Sequence, residues 1–153
     1  MVPGVVADRI VLYRGADVAA TLMGFEAYPT GLSMTLHVTG RGPFWNIAIP
    51  VHGHQPGPLL RFGMAMSDGR RATFDGWRRP PPMWDDTPDM VLLPRGGGGG
   101  SDRPWQMRFW LWPLPPPGDL TFAVEWASGD IPESVVTVDS APFRDAAGEA
   151  FTL

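Results

Sequence analysis

Four side chains form the set most able to recognise a ligand or partner: Arg108, Trp110 and Trp112 on one segment, and Glu125 on the next. Successive residues of a β-strand point to opposite faces, so Arg108, Trp110 and Trp112 share one face if residues 105–112 are extended. Trp and Arg are the residues most enriched at binding hot spots. Flat indole rings also stack on sugars, and a carboxylate beside them is how a glycosidase site begins, provided a second carboxylate stands at a set separation. No partner carboxylate for Glu125 is identifiable among the four glutamates. The plainer account of the two rings is burial under a loop or the C-terminal segment, because large aromatics mostly go inside.

His52-Gly53-His54 is the one pair with metal-ligand spacing, since residues i and i+2 of a strand can reach one ion. A cupin-like site would also need a glutamate shortly after, where this chain has Gln55-Pro56-Gly57-Pro58, and a later histidine, which is absent. His37, the third histidine, lies upstream. No metal is therefore expected, and His52 and His54 are the only candidates. Asp85, Asp86 and Asp89 crowd one loop but match no calcium-binding spacing.

The five glycines at 96–100 lack the Gly-Lys-Ser/Thr of a phosphate loop, and the chain has no lysine at all. Arg70-Arg71 and Arg78-Arg79 flank one strand and suit an anion, although solubilising strand ends explain them more simply. Pro80-Pro81-Pro82 and Pro113-Leu114-Pro115-Pro116-Pro117 can form polyproline segments for an SH3-like partner, or rigid connections between strands. There is no G-x-S-x-G, and with no cysteine there is neither a thiolate nucleophile nor a disulfide. No catalytic set and no cofactor site emerge.

The elements that must position these residues read as short strands. Residues 105–126 hold four of the seven tryptophans and read as two arms around a proline-rich loop. Trp105, Met107, Phe109 and Leu111 fall on one face of the first arm; Leu120, Phe122, Val124 and Trp126 fall on one face of the second. Pairing the arms as a hairpin, Phe109 with Val124 or two residues displaced with Phe122, puts both apolar sets on one side. The first register sets Arg108 opposite Glu125 and Trp110 opposite Ala123.

Elsewhere, strands are expected at 9–13, 18–28, 32–38, 59–66, 71–77, 90–94 and 131–139, with a possible short one at 44–51. The alternation at 18–28 breaks near Met23-Gly24, the usual mark of a bulge. Pro29-Thr30-Gly31 and Asp68-Gly69 read as hairpin turns. Residues 1–8 are expected to be a flexible N-terminus and 96–100 a flexible loop. Ser140 is expected to cap a C-terminal helix over 143–150, with Pro142 in its first turn.

At 153 residues, 44% hydrophobic and cysteine-free, the chain suits a single domain with a sizeable core. Its net charge is −4 and it has no basic patch, which argues against nucleic acid. No apolar run reaches membrane-spanning length, and no basic stretch precedes an apolar one at the N-terminus, so neither membrane nor export is indicated and a cytoplasmic location is the expectation.

The run from Gly96 to Glu133 combines five glycines, W-x-x-x-F-W-L-W-P-L-P-P-P-G-x-L-x-F-x-x-E-W and G-x-I-P-E. With A-Y-P-T-G-L at 27–32 and D-G-R-R-A-T at 68–73, it resembles a family of uncharacterised β-rich proteins of GC-rich bacteria. The resemblance spans most of the chain and implies a single domain; it brings no activity or site residue. The combined expectation is an immunoglobulin-like antiparallel β-sandwich with one short C-terminal helix, or failing that a partly closed β-barrel. Its expected role is that of a non-catalytic module for a protein partner or self-assembly, contacting through Arg108, Trp110, Trp112 and Glu125. The alternative is a carbohydrate-binding or carbohydrate-processing sandwich using Trp110, Trp112, Trp84 and Glu125.

Overall fold

A computed structural model describes residues 1–41, 60–74, 89–100 and 103–153, with the side chains of 97–100, 103, 104 and 128 left aside. The described residues make ten strands in two antiparallel sheets and one α-helix. They are β1 (Gly4–Val6), β2 (Ile10–Arg14), β3 (Val18–Tyr28), β4 (Gly31–Gly40), β5 (Arg61–Met66), β6 (Arg71–Phe74), β7 (Val91–Gly100), β8 (Arg103–Trp112), β9 (Asp119–Trp126) and β10 (Ile131–Asp139), then α1 (Ala141–Gly148). One sheet runs β1-β3-β4-β8-β7, with β2 also on β3; the other runs β10-β9-β5-β6. The two sheets form a sandwich, and among the described residues no closed barrel is made.

Alternation builds the core between them. Leu32, Met34, Leu36 and Val38 of β4 and Met107, Phe109 and Leu111 of β8 are buried from one side. Phe62, Met64 and Met66 of β5 and Leu120, Phe122 and Val124 of β9 are buried from the other. Phe109 joins the layers, its ring 4.9 Å from that of Phe62 and 5.2 Å from that of Phe74. Helix α1 lies on β1 and β3, where Phe143 meets Phe25 at 4.9 Å.

Local signals and structure agree where the contact is between neighbours in sequence. Pro29-Thr30 turns β3 into β4 with Tyr28 opposite Gly31, and the ladder slips between Met23 and Glu26, where Gly24 has φ 68°. Asp68-Gly69 turns β5 into β6, with Gly69 at φ 90° and Arg70 held to Asp68 at 2.7 Å.

The expected hairpin of residues 105–126 does not form. β8 pairs with β4 and β7, and β9 with β5 and β10, so the two arms belong to different sheets. Phe109 faces Met34 and Pro94 across its ladders, while Val124 faces Phe62 and Ser134. The cause lies in residues 113–118: four of the six are prolines, which lack the N–H a tight turn uses. The segment instead carries the chain across the roughly 10 Å between packed sheets. Its carbonyls are taken by other elements: Arg144 Nη1 donates to Pro115 O (2.8 Å), Ser140 Oγ to Pro116 O (2.7 Å), Ser67 Oγ to Pro117 O (2.9 Å) and Ser140 N to Gly118 O (2.9 Å).

Three further expectations are corrected. Residues 1–8 contain β1, which pairs with β3 from Gly4 opposite Ala27 to Val6 opposite Phe25 and is covered by α1. Residues 96–100 continue β7, because β8 is long enough to supply ladder partners as far as Gly100 opposite Arg103. Ser140 does not cap α1 with its side chain, since its hydroxyl is spent on Pro116; Asp139 Oδ1 accepts from Ala141 N instead (2.8 Å). Among the described residues no helix is long and apolar enough to cross a membrane.

Candidate functional site

Strand β8 lies in the interior of its sheet, and its even-numbered residues from 106 to 112 point away from the core. Arg108 is exposed, Trp110 half-buried and Trp112 40% exposed. The neighbouring strands decide what surrounds them. Ser33 of β4 and Leu93 of β7 flank Trp110, Val91 faces Trp112, and Thr35 faces Arg108. Leu93 is 47% exposed, so Trp110, Trp112, Leu93 and Val91 make one apolar patch at the β7 side of the outer face.

Trp110 is fixed within this patch. Its ring stands edge-on to Tyr28, with centroids 5.6 Å apart and planes at 65°. It also lies over Gly31, where an added Cβ would sit 2.5 Å from Trp110 Cζ2. The glycine that ends the Pro-Thr-Gly turn therefore leaves room for an indole on the neighbouring strand. Trp112 has no ring partner among the described residues and is 40% exposed.

Glu125 is not part of this arrangement. It lies on β9 opposite Arg61, on the outer face of the four-stranded sheet. There it borders an open groove of about 590 Å³ with Arg61, Arg71, Thr73, Glu133 and Val135 around a floor that includes Gly63 and Ala123. Arg108 and Glu125, expected to face each other, stand on opposite outer surfaces because β8 and β9 belong to opposite sheets. Arg70 is tied to Asp68 and donates to Asp89 O (3.0 Å), so it is not free to join Arg71 at an anion.

His52, His54, Trp84, Asp85, Asp86, Arg78, Arg79, prolines 80–82 and the possible strand at 44–51 lie outside the described residues. Among the described residues no three His, Asp or Glu side chains are grouped to hold a metal ion. The polyproline segment at 113–117 has the carbonyls of residues 115–117 already bonded within the molecule, which makes it a brace between sheets and helix.

Sequence reasoning missed a second cluster on the face of β8. Thr35, His37, Arg95, Gly96, Gln106 and Arg108 line a shallow cavity of about 400 Å³. Four of these residues come from alternation on β4 and β8, but Arg95 arrives through a bulge in β7. The signal for that bulge was Gly96 following Arg95. No family model, curated protein or solved structure matches the chain.

Proposed function

We propose that this protein is a non-catalytic binding module that docks a protein partner on the outer face of β7 and β8. The observation that carries the reading is the continuous apolar patch of Trp110, Trp112, Leu93 and Val91, with Trp112 and Leu93 each two-fifths or more exposed. Rigid aromatic rings beside an arginine are the composition of a binding hot spot. The patch also adjoins β7, which among the described residues is the edge strand of its sheet, the kind of element a further strand can pair with.

The architecture supports the same reading. The order β3-β4-β8-β7 facing β10-β9-β5-β6 corresponds, strand for strand, to the A-B-E-D and G-F-C-C′ arrangement of immunoglobulin-like sandwiches, with β1 and β2 added beside the first strand. The disulfide of antibody domains has no counterpart here, and Phe62 and Phe109 fill the space between the layers. A carbohydrate-processing role has less support, because Glu125 is on the face opposite Trp110 and Trp112.

The test is affinity capture from native lysate, with light scattering on the purified protein. The expected result is a retained partner that Trp112→Ala combined with Leu93→Asp releases, without loss of fold. A strictly monomeric protein that retains nothing would remove the proposal. A dimer that the same double variant breaks would make a second copy the occupant.

A further inference from the structure

Between the pairs Pro94–Phe109 and Gly97–Met107, two residues of β7, Arg95 and Gly96, oppose the single residue Arg108. This is a β-bulge, and Gly96 has φ 106°, a conformation that side-chain-bearing residues rarely adopt. Its effect is to bring Arg95 to the same cavity as Arg108, so two guanidinium groups from adjacent strands line one space. Like charges facing each other across a ladder oppose strand pairing. A carboxylate between them would offset this, and among the described residues neither arginine makes an ion pair. Among the described strand residues of this face, the register places a carboxylate, Glu26, on β3, two strands from β8.

The remaining lining completes a set of donors. Thr35 offers a hydroxyl, Gln106 an amide N–H₂ and His37 a ring N–H, and none of these side chains has a hydrogen-bond partner among the described residues. Guanidinium forks match planar and tetrahedral oxyanions with paired N–H donors. We infer that this cavity is a binding site for a small oxyanion, a carboxylate or phosphate group, held between Arg95 and Arg108 and oriented by Gln106 and Thr35. The site sits two residues along β8 from Trp110, so a ligand carrying an apolar group about 7 Å from its anionic one, the spacing of side chains i and i+2 in extended chain, would reach both. The inference does not depend on the docking proposal: a free anion would satisfy it.

Calorimetric titration of the whole protein at low ionic strength tests it, with inorganic phosphate as one probe. A second probe is an extended peptide with glutamate and leucine two residues apart, and a third is its glutamine counterpart. Phosphate is expected to bind, Arg95→Gln and Arg108→Gln each to weaken it about tenfold, and added salt to weaken it further. Arg61→Gln, on the other face, is expected to change nothing, and an unaltered unfolding midpoint in the arginine variants shows that the fold is intact. If the glutamate peptide binds at least tenfold tighter than phosphate and its glutamine form does not bind, the oxyanion is delivered by a peptide; equal affinities point to a free anion. No binding by either probe, or binding that survives both arginine substitutions, overturns the inference.

Discussion

Trp110 stands edge-on to Tyr28, ring centroids 5.6 Å apart, and the same indole covers Gly31 in the turn that joins β3 to β4. One ring thus links β8 to the β3–β4 hairpin on the outer face, as Phe109 does between sheets on the inner one. A methyl group at Gly31 would meet both that ring and the carbonyl of Leu111. Gly31→Ala is therefore expected to cost about 1–3 kcal/mol, the usual penalty of overpacking. Gly148→Ala is the control, since nothing lies within 4 Å of its added Cβ and alanine suits a helix better. Urea unfolding of both variants measures the difference; equal stabilities would mean that Trp110 does not pack on the turn.

Phe109 is buried against rings from both β5 and β6 of the opposite sheet. Phe109→Ala is expected to lower stability by roughly 3–5 kcal/mol, and Phe109→Leu by clearly less, because leucine refills part of the cavity. Thermal unfolding followed by circular dichroism checks this. A change under 1 kcal/mol would contradict the packing of the two layers through this ring.

Ser140 is fully buried, and its hydroxyl and amide donate to successive parts of the proline loop, Pro116 O and Gly118 O. Ser140→Ala leaves Pro116 O without its donor, at an expected cost of about 1–3 kcal/mol. Ser67→Ala removes a hydrogen bond to the same loop at an exposed position, and water replaces it at little cost. Denaturant midpoints should separate the two variants.

Trp112 and Leu93 are exposed and support little of the core. Trp112→Ala and Leu93→Asp are expected to change stability by no more than about 0.5 kcal/mol each. A larger loss, read in the same unfolding assay, would show that the patch packs on the protein's own chain and is not a free surface.

Burial holds the His37 imidazole below its ordinary value of 6.5. The groups that share its cavity are Arg95 and Arg108, so nothing there favours its cationic form. A group with a lowered folded-state value contributes stability above the unfolded value, and that contribution is lost as pH falls through the folded one. Unfolding midpoints of the native protein and of His37→Gln should therefore run parallel above about pH 7. Below pH 6.5 the native protein is expected to lose stability relative to the variant. Parallel curves throughout would show that His37 titrates as if in water.

Residue type and alternation were enough to assign which side chains of β3, β4, β5, β8 and β9 face inward, because that pattern belongs to a single strand. They also located the bulge at Met23-Gly24 and the turns at Pro29-Thr30 and Asp68-Gly69, where a few adjacent residues decide the backbone. The site was half legible for the same reason: Arg108, Trp110 and Trp112 share a face whatever lies beside them.

Which strands become neighbours was not legible. Phe109 satisfies its alternation equally well beside Val124, as expected, or beside Met34 and Pro94, as found. The choice rests on closing one core between two sheets, with Phe62 and Phe74 supplied from elsewhere in the chain. That closure separated Glu125 from the tryptophans, spent the Ser140 hydroxyl on Pro116, and brought Arg95 beside Arg108. Period and turn chemistry are local and can be read in order along a chain. Pairing is a property of the whole packed molecule, and here it alone determined what each outward side chain stands next to.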